Sequence, residues 1–286
     1  MKKTFYLVGI LTLLFVSNAF GQLNLPRESQ RAEVSQTVGD TRISLVYHRP
    51  NTKARKVWGE LVPFGKVWRS GANEATVFEI SRDVTVNGKP LPAGKYSLHT
   101  IPNKDEWTII FNKTWNQWGS FNYDEKQDAL RITVKPEKTD FQETLSYNFE
   151  NVTANAAQVA IVWEKVKVPF TVNVGDVSGR ALTDIREAMK NLKADDFRTP
   201  SQAANWVLAM KMPAYYGEAL GWIDTSIKIR ENFGNLSTKA RLLAESGRKQ
   251  DAIAVAEKAI QIGKAATPPA NTADLEKLLS EWKAGK

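Results

Sequence analysis

The stretch from Tyr47 to Thr76, YHRPNTKARKVWGELVPFGKVWRSGANEAT, gathers most of the side chains in this sequence that could do chemistry. Arg49, Lys53, Arg55, Lys56, Lys66 and Arg69 meet a single acid, Glu60, before Glu74 arrives, and Trp58, Trp68, Pro50 and Pro63 are interleaved with them. Guanidinium, amide and carboxylate groups held together, here Arg49, Arg69, Asn73 and Glu74, can bind an anion or a sugar. A second carboxylate at ~5–9 Å would allow glycoside hydrolysis, and Asp128, which follows Asp124 and Glu125 in the loop after Trp118, is the candidate partner of Glu74. A structural role competes with these readings and is favoured over them: Glu74 and Arg49 or Arg69 form a buried ion pair beneath Trp68 that pins the loop.

Aromatic residues make a second constellation. Trp107, Trp115, Trp118, Phe121 and Tyr123 surround a polar run, Asn112-Lys-Thr-Trp-Asn-Gln-Trp-Gly-Ser-Phe-Asn-Tyr123. Indole faces beside amides suit carbohydrate stacking, whereas tryptophans at strand ends more commonly close a core. The lid reading takes precedence here.

Other chemistries are excluded by what the chain lacks. With two histidines and no cysteine, neither a multi-histidine metal centre nor a thiolate zinc site can be built. There is no nucleophile elbow, no phosphate-cradling glycine loop and no dinucleotide fingerprint, so no cofactor and no metal are expected. His99 lies in an alternating strand and reads as a partly buried strand residue. His48, beside Arg49, reads as a strand-end side chain facing solvent.

Two periods position these residues. From about 30 to 175, β-branched and aromatic runs alternate with polar residues, as at Ile43–Tyr47, Thr76–Ile80, Lys95–Ile101, Trp107–Phe111, Leu130–Val134, Thr144–Phe149, Gln158–Trp163 and Val166–Val172. Asn87-Gly88 is the pair a type I′ hairpin demands. Eight or nine short strands without intervening helices predict an antiparallel β-sandwich, with the 47–76 segment as a long ordered loop folded onto it. After Gly175 the period becomes helical. Helices are predicted at 180–192, 215–231, 236–246, 249–263 and 271–283, with another starting at Thr199-Pro200-Ser201-Gln202, where Thr199 is the expected cap. Glu218-Ala219-Leu220 echoes Asp251-Ala252-Ile253 at an offset of 33, close to the tetratricopeptide period. A short tetratricopeptide-like array, offering a docking surface for a protein partner, is therefore expected.

Residues 1–21 read as a leader. Lys2 and Lys3 precede an apolar run from Phe5 to Val16, and Ala19-Phe20-Gly21 is a small-x-small cleavage signal. The expected product is an exported protein, periplasmic or extracellular, without a transmembrane segment. Its domains would be a β domain over 22–177 and a helical domain over 178–286. Removing Lys2 and Lys3 takes the formal charge from +8 to +6. The excess is mild and spread over both halves, unlike the clustered basic face of a nucleic-acid binder.

Arg49-Pro50, Gly59–Gly65, Trp68-Arg-Ser-Gly-Ala-Asn-Glu-Ala-Thr76, Leu91-Pro-Ala-Gly-Lys-Tyr96, Trp118-Gly119 and the Tyr123 to Arg131 stretch together resemble the DUF2911 family of bacterial exported proteins. The resemblance covers roughly residues 25–175 and implies a β-rich fold. The family is one of unknown function, so the resemblance implies no catalytic residue. The residues themselves point to a ligand- or partner-binding envelope protein, with a glycan or an anionic small molecule as the ligand. Its candidate binding residues are Arg49, Trp68, Arg69, Asn73, Glu74, Trp118 and Asp128. The alternatives are a carbohydrate-active hydrolase using Glu74 and Asp128, and a scaffold acting through the helices.

Overall fold

A computed structural model describes residues 25–285; the expected leader and its cleavage site lie outside the described residues. The chain divides between Gly175 and Asp176 into two compact units, the first β and the second helical. The strands of the first are β1 (Gln30–Val38), β2 (Thr41–Arg49), β3 (Thr76–Ile80), β4 (Val84–Val86), β5 (Lys89–Leu91), β6 (Gly94–Ile101), β7 (Trp107–Asn112), β8 (Asp128–Val134), β9 (Glu137–Glu150) and β10 (Ala156–Asn173). They form a six-stranded sheet in the order β1-β2-β3-β6-β7-β8 and a four-stranded sheet in the order β5-β4-β10-β9. All pairings are antiparallel.

The antiparallel architecture is the one the alternation predicts. Asn87 and Gly88 both have positive φ, 47° and 79°, and join β4 to β5 with Val86 opposite Lys89, as a two-residue hairpin requires. Two details differ from the sequence expectation. The runs 158–163 and 166–172 are one strand, β10, whose register against β9 shifts on either side of Glu164. Strand β1 lies outside the alternating runs of the sequence, because its residues are at most half-buried until Val38 and carry little apolar signal.

The inner faces of the sheets meet through Phe78, Phe111 and Phe170, whose ring centroids lie 5.1–6.2 Å apart. A second aromatic group explains why the segment between β2 and β3 is ordered. Trp58 packs edge-on against Trp68, Trp107 and Trp163 at 5.7, 4.8 and 5.7 Å, and Trp68 stacks on Trp163 at 5.9 Å. Burying one indole removes about 150–250 Å² from water, worth roughly 4–6 kcal/mol at ~25 cal/mol/Å². Two such anchors offset part of the entropy of ordering the loop, which runs to ~1–2 kcal/mol per residue. Isolated backbone bridges at Asn51–Thr144, Trp68–Thr100 and Glu74–Trp118 fasten it along its length.

The helical unit contains α1 (Val177–Lys190), α2 (Arg198–Ala209), α3 (Tyr216–Ile229), α4 (Phe233–Glu245), α5 (Lys249–Ala265) and α6 (Ala273–Lys283). Asp176 caps α1 by accepting from Gly179 N at 2.8 Å, and Asn232 with Asn235 forms a reciprocal capping box on α4. The cap of α2 is not Thr199. Asp196 accepts from the N–H groups of Arg198 and Thr199, both at 3.0 Å, and the Thr199 hydroxyl donates to the same carboxylate at 2.6 Å. A carboxylate three residues upstream displaces the hydroxyl because it satisfies two orphan donors at once. Gly263, expected to end a helix, lies inside α5 and is buried. A Cβ there would approach Phe233 and Thr272 to 2.9 Å, so it is a site of close approach. Trp222 is buried, with Trp206 packed on the same cluster and Trp282 on another. No helix among the described residues is long and apolar enough to cross a membrane.

Candidate functional site

Val46 and His48 alternate along β2 onto the face of the six-stranded sheet turned away from Tyr47, which is buried. Arg31 pairs with His48 across β1, and Val77 with Val46 across β3. Above this face lies a cleft of about 640 Å³, walled by Leu25–Arg27, by Glu74 and Ala75, and by Trp115–Gln117. Two loops are zipped together to make its wall. Ala75 N donates to Gln117 O at 3.0 Å, and Gly119 N to Asn73 O at 3.1 Å, which fixes Glu74 beside Trp118 on main-chain hydrogen bonds.

Glu74 is the charged centre. Nη1 of Arg27 donates to both its oxygens at 2.7 Å, and Nδ1 of His48 is 3.3 Å away. Partial burial pushes the Glu74 carboxyl up. The Arg27 hydrogen bond, its own backbone N–H and the charges of His48 and Arg27 outweigh this and hold it below its ordinary value. His48 is lowered, first by burial and further by Arg27 and Arg31, against the opposing pull of Glu74. The imidazole is therefore neutral at neutral pH, and its approach to Glu74 is a close polar contact rather than an ion pair.

The sequence-predicted residues separate on this frame. Glu74 lies in the cleft, and Trp118 stands beside it, 53 % exposed, with the Arg27 guanidinium 5.4 Å from its ring. Asn73 donates weakly to Ser29 O at 3.4 Å. The other candidates do not join them. Trp68 is buried in the tryptophan group and donates from Nε1 to Gly71 O at 3.1 Å. Arg49 donates from Nε to Leu145 O at 2.9 Å, because adjacent residues of a strand point to opposite faces and His48 takes the cleft side. Arg69 Nε is buried without a hydrogen-bond partner, and burial lowers the guanidinium. The ion-pair cluster expected beneath Trp68 is thus replaced by Glu74 with Arg27 and His48, at 40 % side-chain exposure for Glu74. Nor does His48 face solvent; it is 8 % exposed.

Asp128 belongs to a different network. It accepts from Asn112 Nδ2 at 2.8 Å, Tyr123 OH at 2.7 Å and Arg131 Nε at 2.5 Å, and Arg131 also donates to Tyr123 OH at 2.6 Å. Burial and the Asp128 hydrogen bond push the Tyr123 phenol up to about 12. The Tyr123 ring lies 5.2 Å from that of His99. His99 is fully buried, with Nδ1 3.1 Å from Ser120 Oγ and Nε2 3.1 Å from Ser97 Oγ. Burial, only partly opposed by Asp128, lowers it to about 4, so it stays neutral at neutral pH. Among the described residues Glu74 and Asp128 have different hydrogen-bond and ion-pair partners, so the two carboxylates belong to separate networks. Among the described residues no group of three or more His, Asp or Glu side chains could hold a metal ion.

The exposed aromatics also depart from expectation. Trp107 is a core lid, but Trp115, Trp118 and Phe121 are 43, 53 and 81 % exposed. Sequence reasoning missed Arg27, Arg31, Trp115 and Gln117 as cleft residues. Arg27 precedes the first strand and has no periodicity to betray it, whereas Trp115 and Gln117 were visible in the aromatic and amide run.

No curated protein and no solved structure matches the chain. The family described as protein of unknown function (DUF2911) matches residues 29–172, from the start of β1 almost to the end of β10 and half of the chain. The β unit that carries the cleft therefore places this protein in the DUF2911 family.

Proposed function

We propose that this protein is an exported carbohydrate-binding protein of the bacterial envelope, with the cleft over β2 as its sugar site. The observation that carries the reading is Trp115: an indole left 43 % exposed on the rim of a cleft that also presents the side chains of Gln30, Asn116 and Glu74. An aromatic face next to amide and carboxylate groups is what a pyranose ring and its hydroxyls require. An anionic small molecule is less well served, because Arg27 is already neutralised by Glu74 and Arg31 lies 3.6 Å from Glu33. Hydrolysis is less well served too, because Glu74 and Asp128 are engaged in separate side-chain networks. The helical unit, with small residues Ala240, Ala252, Ala256 and Ala259 buried between its helices, fits the tetratricopeptide-like docking role for an envelope partner.

The test is calorimetric titration with a panel of neutral and acidic oligosaccharides. At least one should bind, and Trp115→Ala should weaken it about tenfold, the equivalent of ~1.4 kcal/mol. A panel without a binder, or a Trp115→Ala protein that binds unchanged, overturns the reading. Export is tested separately by the intact mass of protein from the envelope fraction, which should begin at Gln22.

A further inference from the structure

Arg27 touches Glu74 in the manner of a ligand. One guanidinium nitrogen lies 2.7 Å from both carboxylate oxygens, and the guanidinium carbon sits 5.4 Å from the Trp118 ring centroid. A carboxylate beside an exposed aromatic face is a general recognition device for organic cations, since the ring's negative face and the carboxylate act on the same charge. The other side chain beside Glu74, His48 at 3.3 Å, is neutral at neutral pH and leaves the carboxylate charge uncompensated. The receptor groups are rigidly mounted. Glu74 and Trp118 are paired through a backbone bridge, and His48 is held in β2 opposite Arg31 of β1. The occupant is not. Arg27 precedes β1, in a segment whose residues Leu25 to Glu28 are all exposed. Its other ties are an ion pair from Lys53 to Glu28, a hydrogen bond from the Gln30 amide to Arg27 O and the weak bond from Asn73 to Ser29 O.

We infer that Glu74, Trp118 and His48 form a receptor for a guanidinium or protonated amine, and that Arg27 is its resident occupant, displaced when a ligand bearing such a cation enters. Exposed ion pairs are weak and screened by salt, so the segment can be exchanged without unfolding the sheet. A tethered occupant nonetheless competes at an effective concentration in the millimolar range. Arg27 thus sets a threshold: simple cations are excluded, and a ligand must add contacts elsewhere in the cleft to win. This inference does not depend on the ligand being a sugar.

The experiment titrates agmatine, which carries a guanidinium and a protonated amine without a carboxylate, and the uncharged control butylurea into wild type, Arg27→Ala, Arg27→Ala/Glu74→Gln and Arg27→Ala/Trp118→Ala. Binding is followed by calorimetry and by the indole N–H resonance of Trp118. Arg27→Ala should bind agmatine at least about tenfold more tightly than wild type, and butylurea should bind to neither. Each double variant should lose the gain. Should the Glu74→Gln combination fold poorly, the Trp118→Ala combination decides. Equal agmatine affinity in wild type and Arg27→Ala, equal binding of butylurea, or a gain that survives both double variants overturns the inference. Neutral oligosaccharides run on the same samples keep the outcomes apart. Sugar binding without agmatine binding leaves the carbohydrate reading standing alone, and the converse leaves the cation receptor standing alone.

Discussion

The side-chain amide nitrogen of Gln117 lies 3.3 Å from Nε2 of His99. One residue therefore serves both as a wall of the cleft and as a member of the buried network beneath it. The same nitrogen reaches Ser97 Oγ at 3.1 Å and Thr114 O at 2.8 Å, while Gln117 Oε1 is buried without a partner. A ligand that draws on Gln117 alters the surroundings of His99, so the two groups of residues are mechanically one.

His99 should make stability fall on acidification. Burial lowers it from its ordinary 6.5 to about 4, so between these values the unfolded chain binds a proton that the folded chain refuses, and stability rises with pH. The contribution is fully present above about pH 6.5 and is lost as pH falls towards 4. The difference amounts to about 3 kcal/mol. Urea unfolding of wild type and His99→Gln at pH 7, 5.5 and 4.5 checks this. The variant starts less stable and should show a shallower decline, and identical slopes would contradict the assignment.

Arg69→Met should cost less than ~1 kcal/mol or should stabilise. The guanidinium is partly desolvated and its Nε is orphaned, so an apolar chain of similar length removes a penalty and keeps the packing. Truncating one member of a buried ion pair would instead cost ~3–5 kcal/mol. Chemical denaturation of this one variant distinguishes the two situations.

Gly263→Ala should destabilise the helical unit, although helix propensity alone would favour alanine by ~1 kcal/mol. The new methyl meets the Phe233 ring and the Thr272 methyl at 2.9 Å, and overpacking of this kind costs ~1–3 kcal/mol. A lowered helical melting temperature is the expected outcome. A raised one would mean that the ring moves aside freely.

A fragment ending at Gly175 should fold by itself as a β protein. It contains both sheets and the tryptophan group, and the chain divides immediately after it. Circular dichroism with a strand signature and a cooperative melt is the expected result; an unstructured fragment would require the helices for closure.

The change of period after Gly175, the Asn87-Gly88 hairpin and most helix spans were legible because each is encoded within a few neighbouring residues. The candidate site was legible only in part. Glu74 and Trp118 are adjacent through a bridge between two loops, and nothing in their local spacing predicts that meeting. Arg27 lies 47 residues from Glu74 in a segment without periodicity. The error over Arg49 has a simple origin: neighbouring residues in a strand face opposite ways, and proximity in sequence to a cluster is not proximity in space. Thr199 misled for a related reason, since Asp196 competes for the same orphan donors and a charge wins.

The tryptophan group has a consequence for how the long loop moves. Trp58 and Trp68 belong to the loop, Trp107 and Trp163 to the two sheets, and none can be withdrawn without wetting the others. The segment between β2 and β3 therefore lacks a private opening reaction of the kind that surface loops usually have. Its inner amides, such as Trp68 N bonded to Thr100 O at 2.8 Å, should exchange with solvent only as fast as the whole β unit opens, and proteases should cut there at a rate set by global stability. What looks on paper like the chain's longest connection behaves dynamically as an additional layer of its core.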